Sequence, residues 1–275
     1  MKSSSQWKLF VYLMTLLIVV VFVGPIIWFI MLAFRMPGDT FTMPPTLIFT
    51  PTFDNFYATF IHPGDKLVQV FNSIIVSTGA TLLSLPFSLA AAYSLSRFPI
   101  RRKKFIMMWY LSLLMAPPIV FVIPYFILMS RIGWAGTYQA MIVILQTITI
   151  PFSIWLLKSF IDELPVELEE AALVDGASRW KAFVNITLHL AVPGIIVTSI
   201  FAFVFSWNNV IFPLVLSRQA TATLPLGTIS YFTSPGLYWT RIAATAVMAM
   251  LPPMVIFLVL GRYVVRGLTF GAVKG

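Results

Sequence analysis

Chemistry in this chain has to come from a small set of residues. Nine carboxylates are present, and six of them (Asp162, Glu163, Glu167, Glu169, Glu170 and Asp175) fall in one short stretch with Ala171, Ala172 and Gly176. There are two histidines, His62 and His189, and no cysteine. That set offers no thiolate, no metal-ligand spacing and no general acid–base pair. No catalytic, cofactor-binding or metal-binding residue is therefore expected. An acidic segment with small residues at its centre suits close approach by another protein. A second group is neutral: Gln146, Trp207, Asn208 and Asn209, with Asn72, Ser73 and Thr147, all set in apolar stretches. Amides, hydroxyls and an indole suit an uncharged polyhydroxy solute. They equally suit hydrogen bonds between helices, worth about 0.6 kcal/mol each.

The acidic segment carries its own local instructions. Pro165 has the fixed φ favoured at a first helical position. Glu167, Glu169 and Glu170 follow within the first turns, where carboxylates oppose the positive end of the helix dipole. Gly176 predicts a left-handed cap, and Ser178 predicts the N-cap of a second helix through Trp180, Phe183 and Ile186. The expected unit is a short helix, a glycine corner and a helix that runs on into apolar sequence.

What must position this unit is a membrane bundle. Of 275 residues, 59% are hydrophobic and 10% charged, against about 25% charged in a soluble globule. Mean hydropathy is +0.93. The formal charge of +9 does not point to nucleic acid, because the cations are scattered between apolar blocks. A spanning helix needs about 20 apolar residues. Charge-free gaps give six, at about 9–34, 70–96, 105–130, 138–157, 191–216 and 242–261, with an inner loop at about 158–190. The 219–240 gap also lacks charge, but its Thr, Ser, Gly and Pro content predicts a folded loop outside the membrane. In the first outer loop a short helix is expected near Asp54–Ile61. With both termini inside, thirteen of the eighteen cations fall on the inner side, which agrees with the positive-inside rule. The five in Arg97–Lys104 read as an anchor on anionic lipid. Pro117, Pro118, Pro124, Pro252 and Pro253 predict bends or breaks at membrane depth.

The spacing then resembles a known family. Glu170-Ala171-Ala172, Gly176, Ile186 and Leu188 are similar to the EAA loop of ABC-importer permeases. Ile161–Pro165 and Asp175–Trp180 also resemble that family, and the ending Arg266–Gly275 is similar to that of its carbohydrate branch, the maltose-transporter-type inner-membrane components. The resemblance covers nearly the whole chain. It implies an all-α, polytopic protein with six transmembrane helices and the type I ABC importer permease fold, a single transmembrane domain over residues 1–275. It departs from the pattern at two places. His189 stands where the family has proline, which predicts a straighter entry to the fifth span. Trp207-Asn208-Asn209 stands where a Trp-Asn-Glu is frequent, so a carboxylate is missing.

The resemblance also implies partners and roles. They are a second, homologous permease forming a heterodimer, a cytosolic ABC ATPase dimer, an extracytoplasmic solute-binding protein and the lipid of a bacterial inner membrane. Glu167, Glu170, Ala171, Ala172, Asp175 and Gly176 would couple to the ATPase. Gly271, Val273, Lys274 and Gly275 would reach its dimer interface, and 219–240 would reach towards the binding protein. Gln146, Trp207, Asn208 and Asn209 are candidates for the solute path. ATP and magnesium would sit on the partner, since this chain has no G-x-x-x-x-G-K-[ST] stretch to cradle phosphates. Six spans alone would also allow an ion-coupled carrier or channel for a small polar solute. The uncharged interior and the EAA-like loop weigh against that.

Overall fold

The computed structural model describes residues 5–40, 48–61, 66–233 and 238–269, and these are helical without a strand. Gly271, Val273, Lys274 and Gly275 lie outside the described residues. In chain order the helices are α1 (Ser5–Ala33), α2 (Asp54–Phe60), α3 (Lys66–Arg97), α4 (Lys103–Met115), α5 (Pro118–Arg131) and α6 (Tyr138–Asp162). There follow α7 (Val166–Val174), α8 (Arg179–Ala182), a π-helical turn (Phe183–Thr187) and α9 (Leu188–Leu190). The remaining helices are α10 (Val192–Trp207), α11 (Ile211–Leu216), α12 (Leu224–Thr233) and α13 (Trp239–Thr269).

Four helices, α1, α3, α6 and α13, are each long and apolar enough to cross a membrane. Two further candidates are bent pairs: α4 with α5 at 89°, and α8–α9 with α10 at 72°. Counting each pair as one span gives six. The bends follow from proline. Pro117 and Pro118 have no N–H for the carbonyls of Leu113 and Leu114, and a residue before proline is pushed to extended backbone. Ala116 and Pro117 both adopt it, with ψ of 127° and 123°.

The expectation of a straighter entry to the fifth span fails. The chain bends by 72° at Ala191 although residue 189 is histidine. Pro193 does the work one turn later, because it cannot donate to the carbonyl of His189. Nor is 191–216 one continuous helix. It stops after Trp207 and restarts at Ile211, and Pro213 has no N–H for the carbonyl of Asn209. The 219–240 segment differs too, since ten of its residues form α12. At about 1.5 Å per residue α12 reaches about 15 Å, half of a hydrocarbon core of about 30 Å. The short helix expected near Asp54–Ile61 is α2.

The chain divides into two compact units, residues 1–67 with 227–250, and residues 68–226 with 251–275. In the first, Leu32, Ala33, Ala243 and Ala244 form a small core with Phe34, Phe56 and Trp239. The buried amide of Asn55 donates to Ala33 O at 2.9 Å and Arg35 O at 2.6 Å, satisfying carbonyls left open at the end of α1. Most of α1 is exposed apolar surface, with Trp7, Tyr12 and Phe22 among the exposed residues. Such a surface belongs against lipid tails.

In the second unit α6 is the hub. Its residues Met141, Ile144, Leu145, Ile154, Leu157 and Ile161 are buried, and α4 and α10 pack against it. Close approach depends on glycine. A Cβ on Gly79 of α3 would stand 2.6 Å from the Ile142 side chain, and one on Gly194 of α10 would stand 2.5 Å from Phe160.

Candidate functional site

The acidic segment folds as a capped helix fixed to the bundle. Pro165 is its N-cap, with φ −56° and ψ 122°, so Val166 and not the proline opens α7. Glu167 and Glu169 occupy the first turn. The other end closes by a Schellman arrangement: Gly176 N–H donates to Leu173 O at 3.1 Å and Ala177 N–H to Ala172 O at 2.9 Å. Gly176 has φ +83°, which glycine adopts without steric cost. Ser178 Oγ then accepts from Lys181 N–H at 3.2 Å and caps α8.

One carboxylate of the segment is turned inward. Glu169 is buried on α7, and its Oε1 accepts from Arg97 Nε at 2.7 Å while its Oε2 accepts from Tyr93 Oη at 3.0 Å. Arg97 also donates through Nη2 to Leu164 O at 3.1 Å. Tyr93 and Arg97 belong to the last turns of α3, so both oxygens of one α7 side chain are held by α3. Beneath this lies an apolar cluster of Ala92, Tyr93, Leu157, Ile161, Phe183 and Ala191, drawn from α3, α6 and the π turn into α10. A buried ion pair with every oxygen occupied fixes geometry more than it adds stability. α7 is thus tied to α3 directly and, through that cluster, lies beside α6 and the turn into α10.

The opposite side of α7 is open. Glu167, Glu170, Ala171, Asp175 and Gly176 are exposed, and Ala172 is half-buried. Apolar side chains stand out beside them, with Val174 at 87% and Trp180 at 72% exposure. Small, acidic and apolar side chains are thus exposed together on a helix fixed to the bundle.

The four neutral residues do not form one site. Gln146 on α6 donates through Nε2 to Ala80 O at 3.2 Å and Ile142 O at 2.7 Å, tying α6 to α3. It also lines a cavity of about 340 Å³. Trp207 is 1% exposed and stacks on Phe203 with ring centroids 5.7 Å apart. Asn208 is exposed at the break after α10. Asn209 Oδ1 accepts from Phe212 N–H at 3.1 Å and starts α11. None of Trp207, Asn208 and Asn209 lines the cavity with Gln146.

Near the start of α3 lies a second polar junction. Asn72 is buried; its amide donates to Ala220 O at 3.0 Å and Ala222 O at 2.9 Å, and its Oδ1 accepts from Tyr138 Oη at 2.7 Å. Leu224 N–H donates to Ser73 Oγ at 2.8 Å. Two adjacent α3 side chains thus hold the segment leading into α12 against the start of α6.

The family of binding-protein-dependent transport system inner membrane components matches residues 84–270, well over half of the chain. The chain belongs to this family. Its relatives include the trehalose/maltose transport system permease protein MalG of Thermococcus litoralis, 31% identical and covering 100% of both chains. The diacetylchitobiose uptake system permease protein DasC of Streptomyces coelicolor is 33% identical, covering 94% of this chain and 95% of its own. Both match over nearly their whole length, so the likeness to the carbohydrate branch read from the ending stands. A bacterial ABC transporter involved in the import of the acidic polysaccharide alginate has the same fold, with TM-score 0.75 over 96% of this chain and 98% of that one at 20% identity. The chain is thus a multi-pass permease of the inner-membrane component family.

For a permease of this family the missed residues are instructive. Glu169 stood inside the acidic cluster but had no separate role in the sequence, and Arg97 read as one of five lipid-facing cations. The signal that distinguishes Glu169 is its register: it lies two residues after Glu167 and one before Glu170, on the other side of a 3.6-residue turn. Asn72 stood among the neutral residues without a partner, since those it binds are 66 to 150 positions away.

Proposed function

We propose that this permease is one of two related transmembrane subunits of an ATP-driven, binding-protein-dependent importer of a neutral carbohydrate or polyol. The observation that carries the reading is α7: a capped helix, locked to α3 through Glu169, that offers Glu167, Glu170, Ala171 and Asp175 outward. On this reading α7 seats in a cleft of a cytosolic ATPase dimer, which binds ATP and magnesium. Closure of that dimer displaces α7 as a body. Arg97 and Tyr93 pass the displacement to α3, and the apolar cluster below passes it to α6 and α10. The bundle then rocks between inward and outward access. Both termini and the 158–190 loop face the cytoplasm of a bacterium, the 266–275 tail reaches the ATPase interface, and 219–240 faces a solute-binding protein outside.

The solute class is supported by two observations. Relatives at about one-third identity are named for trehalose, maltose and diacetylchitobiose. The spanning segments carry no charge that would attract or pair with an ionic solute. The test is uptake by vesicles holding the whole complex. Inhibition by vanadate with indifference to a protonophore supports the reading. The reverse pattern replaces it with an ion-coupled carrier.

A further inference from the structure

The 340 Å³ cavity lies in the larger unit between the α4–α5 break, the stretch of α6 around Pro151, and Phe212 of α11. We infer that this cavity is a waystation for the transported solute, shaped for the face of a pyranose ring or a linear polyol; this rests on the proposed import of a neutral carbohydrate.

Its volume is within the range of about 300–1,000 Å³ for small-molecule sites. The walls are mainly aromatic. Trp109 and Tyr110 stand 5.6 Å apart at one side, and Tyr125 meets Phe212 edge-on at 5.9 Å. Aromatic faces take the C–H side of a sugar ring, while hydroxyls around the ring need polar partners. Beside the Gln146 amide, the lining supplies those at three hydroxyls. Tyr110 and Tyr125 bring hydroxyls for which no hydrogen-bond partner is found among the described residues. Thr147 donates to Ile144 O at 2.7 Å and keeps its lone pairs.

The backbone adds acceptors that a proline-free helix would not have. Pro117 has no N–H for the carbonyl of Leu113, and Pro151 has none for the carbonyl of Thr147. All four of these residues except Pro117 line the cavity. Carbonyls freed at membrane depth are tolerated where they face protein or a cavity, and discontinuous helices are where transported solutes bind in other membrane carriers. A lipid chain would satisfy the rings but would leave the tyrosine hydroxyls and the freed carbonyls dry, at a cost for each. A sugar satisfies both.

The chain has no cysteine, so Thr147→Cys introduces a unique thiol. The complete transporter in proteoliposomes is treated with a membrane-impermeant cationic methanethiosulfonate, with the unsubstituted complex as background. The probe is whichever of maltose, trehalose or sorbitol the wild-type complex takes up. The inference expects labelling at one stage of the ATPase cycle at least, and slower labelling when binding protein loaded with that probe is present. No labelling at any stage overturns it, because the cavity is then filled by lipid or by the second permease. Labelling indifferent to the probe also overturns it. Tyr125→Phe and Trp109→Ala supply a second readout free of thiol chemistry. Uptake per ATP should fall about fivefold in Tyr125→Phe, the effect of one lost neutral hydrogen bond, and at least as far in Trp109→Ala, which removes a ring face. Unchanged uptake per ATP in both variants contradicts the inference. Vanadate-insensitive uptake by the wild type would remove the import reading itself, and is a separate result.

Discussion

The two ends of α3 carry polar junctions of opposite kinds. At one end Asn72 makes three neutral hydrogen bonds, to two backbone carbonyls and a tyrosine hydroxyl. At the other, Arg97 and Tyr93 hold the carboxylate side chain of Glu169. Asn72 and Arg97 are separated by 25 residues of one helix, about 37 Å along its axis. The neutral junction fixes a loop, and the charged one fixes a helix that faces outward. α3 is thus held near both ends, as the proposed transmission of a displacement from α7 to the loop before α12 would require.

Breaking the charged end should cost most. Arg97→Met leaves Glu169 buried without its cation, and removing one member of a buried pair costs about 3–5 kcal/mol. Thermal unfolding of the purified complex should fall markedly, and ATPase stimulation by the binding protein should be lost. The double variant Arg97→Met with Glu169→Leu should regain much of the thermal stability, because an apolar replacement of a whole buried pair is frequently neutral. Stimulation should stay low, which separates transmission from folding.

The neutral end should be the next most sensitive. Asn72→Ala strands two carbonyls and the Tyr138 hydroxyl, at roughly 1–3 kcal/mol for a buried group left unpaired. Basal ATPase should be unaffected, while proteolysis between Ser217 and Thr223 becomes faster. Equal loss of basal ATPase would mean that the junction holds the bundle and not the loop.

Smaller still is the corner after α7. A Cβ on Gly176 meets nothing within 4 Å, so substitution is opposed by backbone conformation alone. Gly176→Val should cost about 1–2 kcal/mol, and Gly176→Asn less, as asparagine tolerates the left-handed region. Stimulated ATPase should rank wild type, asparagine, valine. Glu170→Lys is the limiting case. An exposed substitution of this kind shifts stability within about 0.5 kcal/mol, so its melting curve should overlay that of the wild type while uptake is lost.

These differences also explain what was legible beforehand. Gly176 and Ser178 act on their own neighbours, so their cap geometries were readable from spacing alone. The helix start was readable to within one residue, since Pro165 proved to be the N-cap. The six-span count survived because charge exclusion is a property of each segment separately. What escaped depended on distant partners. Register sets Glu169 on another side of α7 from Glu170, but its role needs Arg97 and Tyr93, and Gln146 could not be placed apart from Trp207 without knowing where α10 stops. The straighter entry expected from histidine at 189 fails for a related reason: Pro193 acts on the carbonyl of that same residue and bends the chain there. α12 was missed because Thr, Ser, Gly and Pro content argues for a loop, whereas Leu224 N–H finds an acceptor in Ser73 and the helix starts there.

The central claim is that α7 is the coupling element of an ATP-driven importer. Ala171→Cys in this cysteine-free chain, paired with single cysteines along the cleft of the ATPase subunit, tests it most directly. The account predicts disulfide formation at one or two cleft positions, with full loss of uptake on oxidation and recovery on reduction. Absence of any crosslink from Ala171 in resting, ATP-bound and vanadate-trapped complexes, with the same cleft cysteines competent to form crosslinks elsewhere, would contradict it.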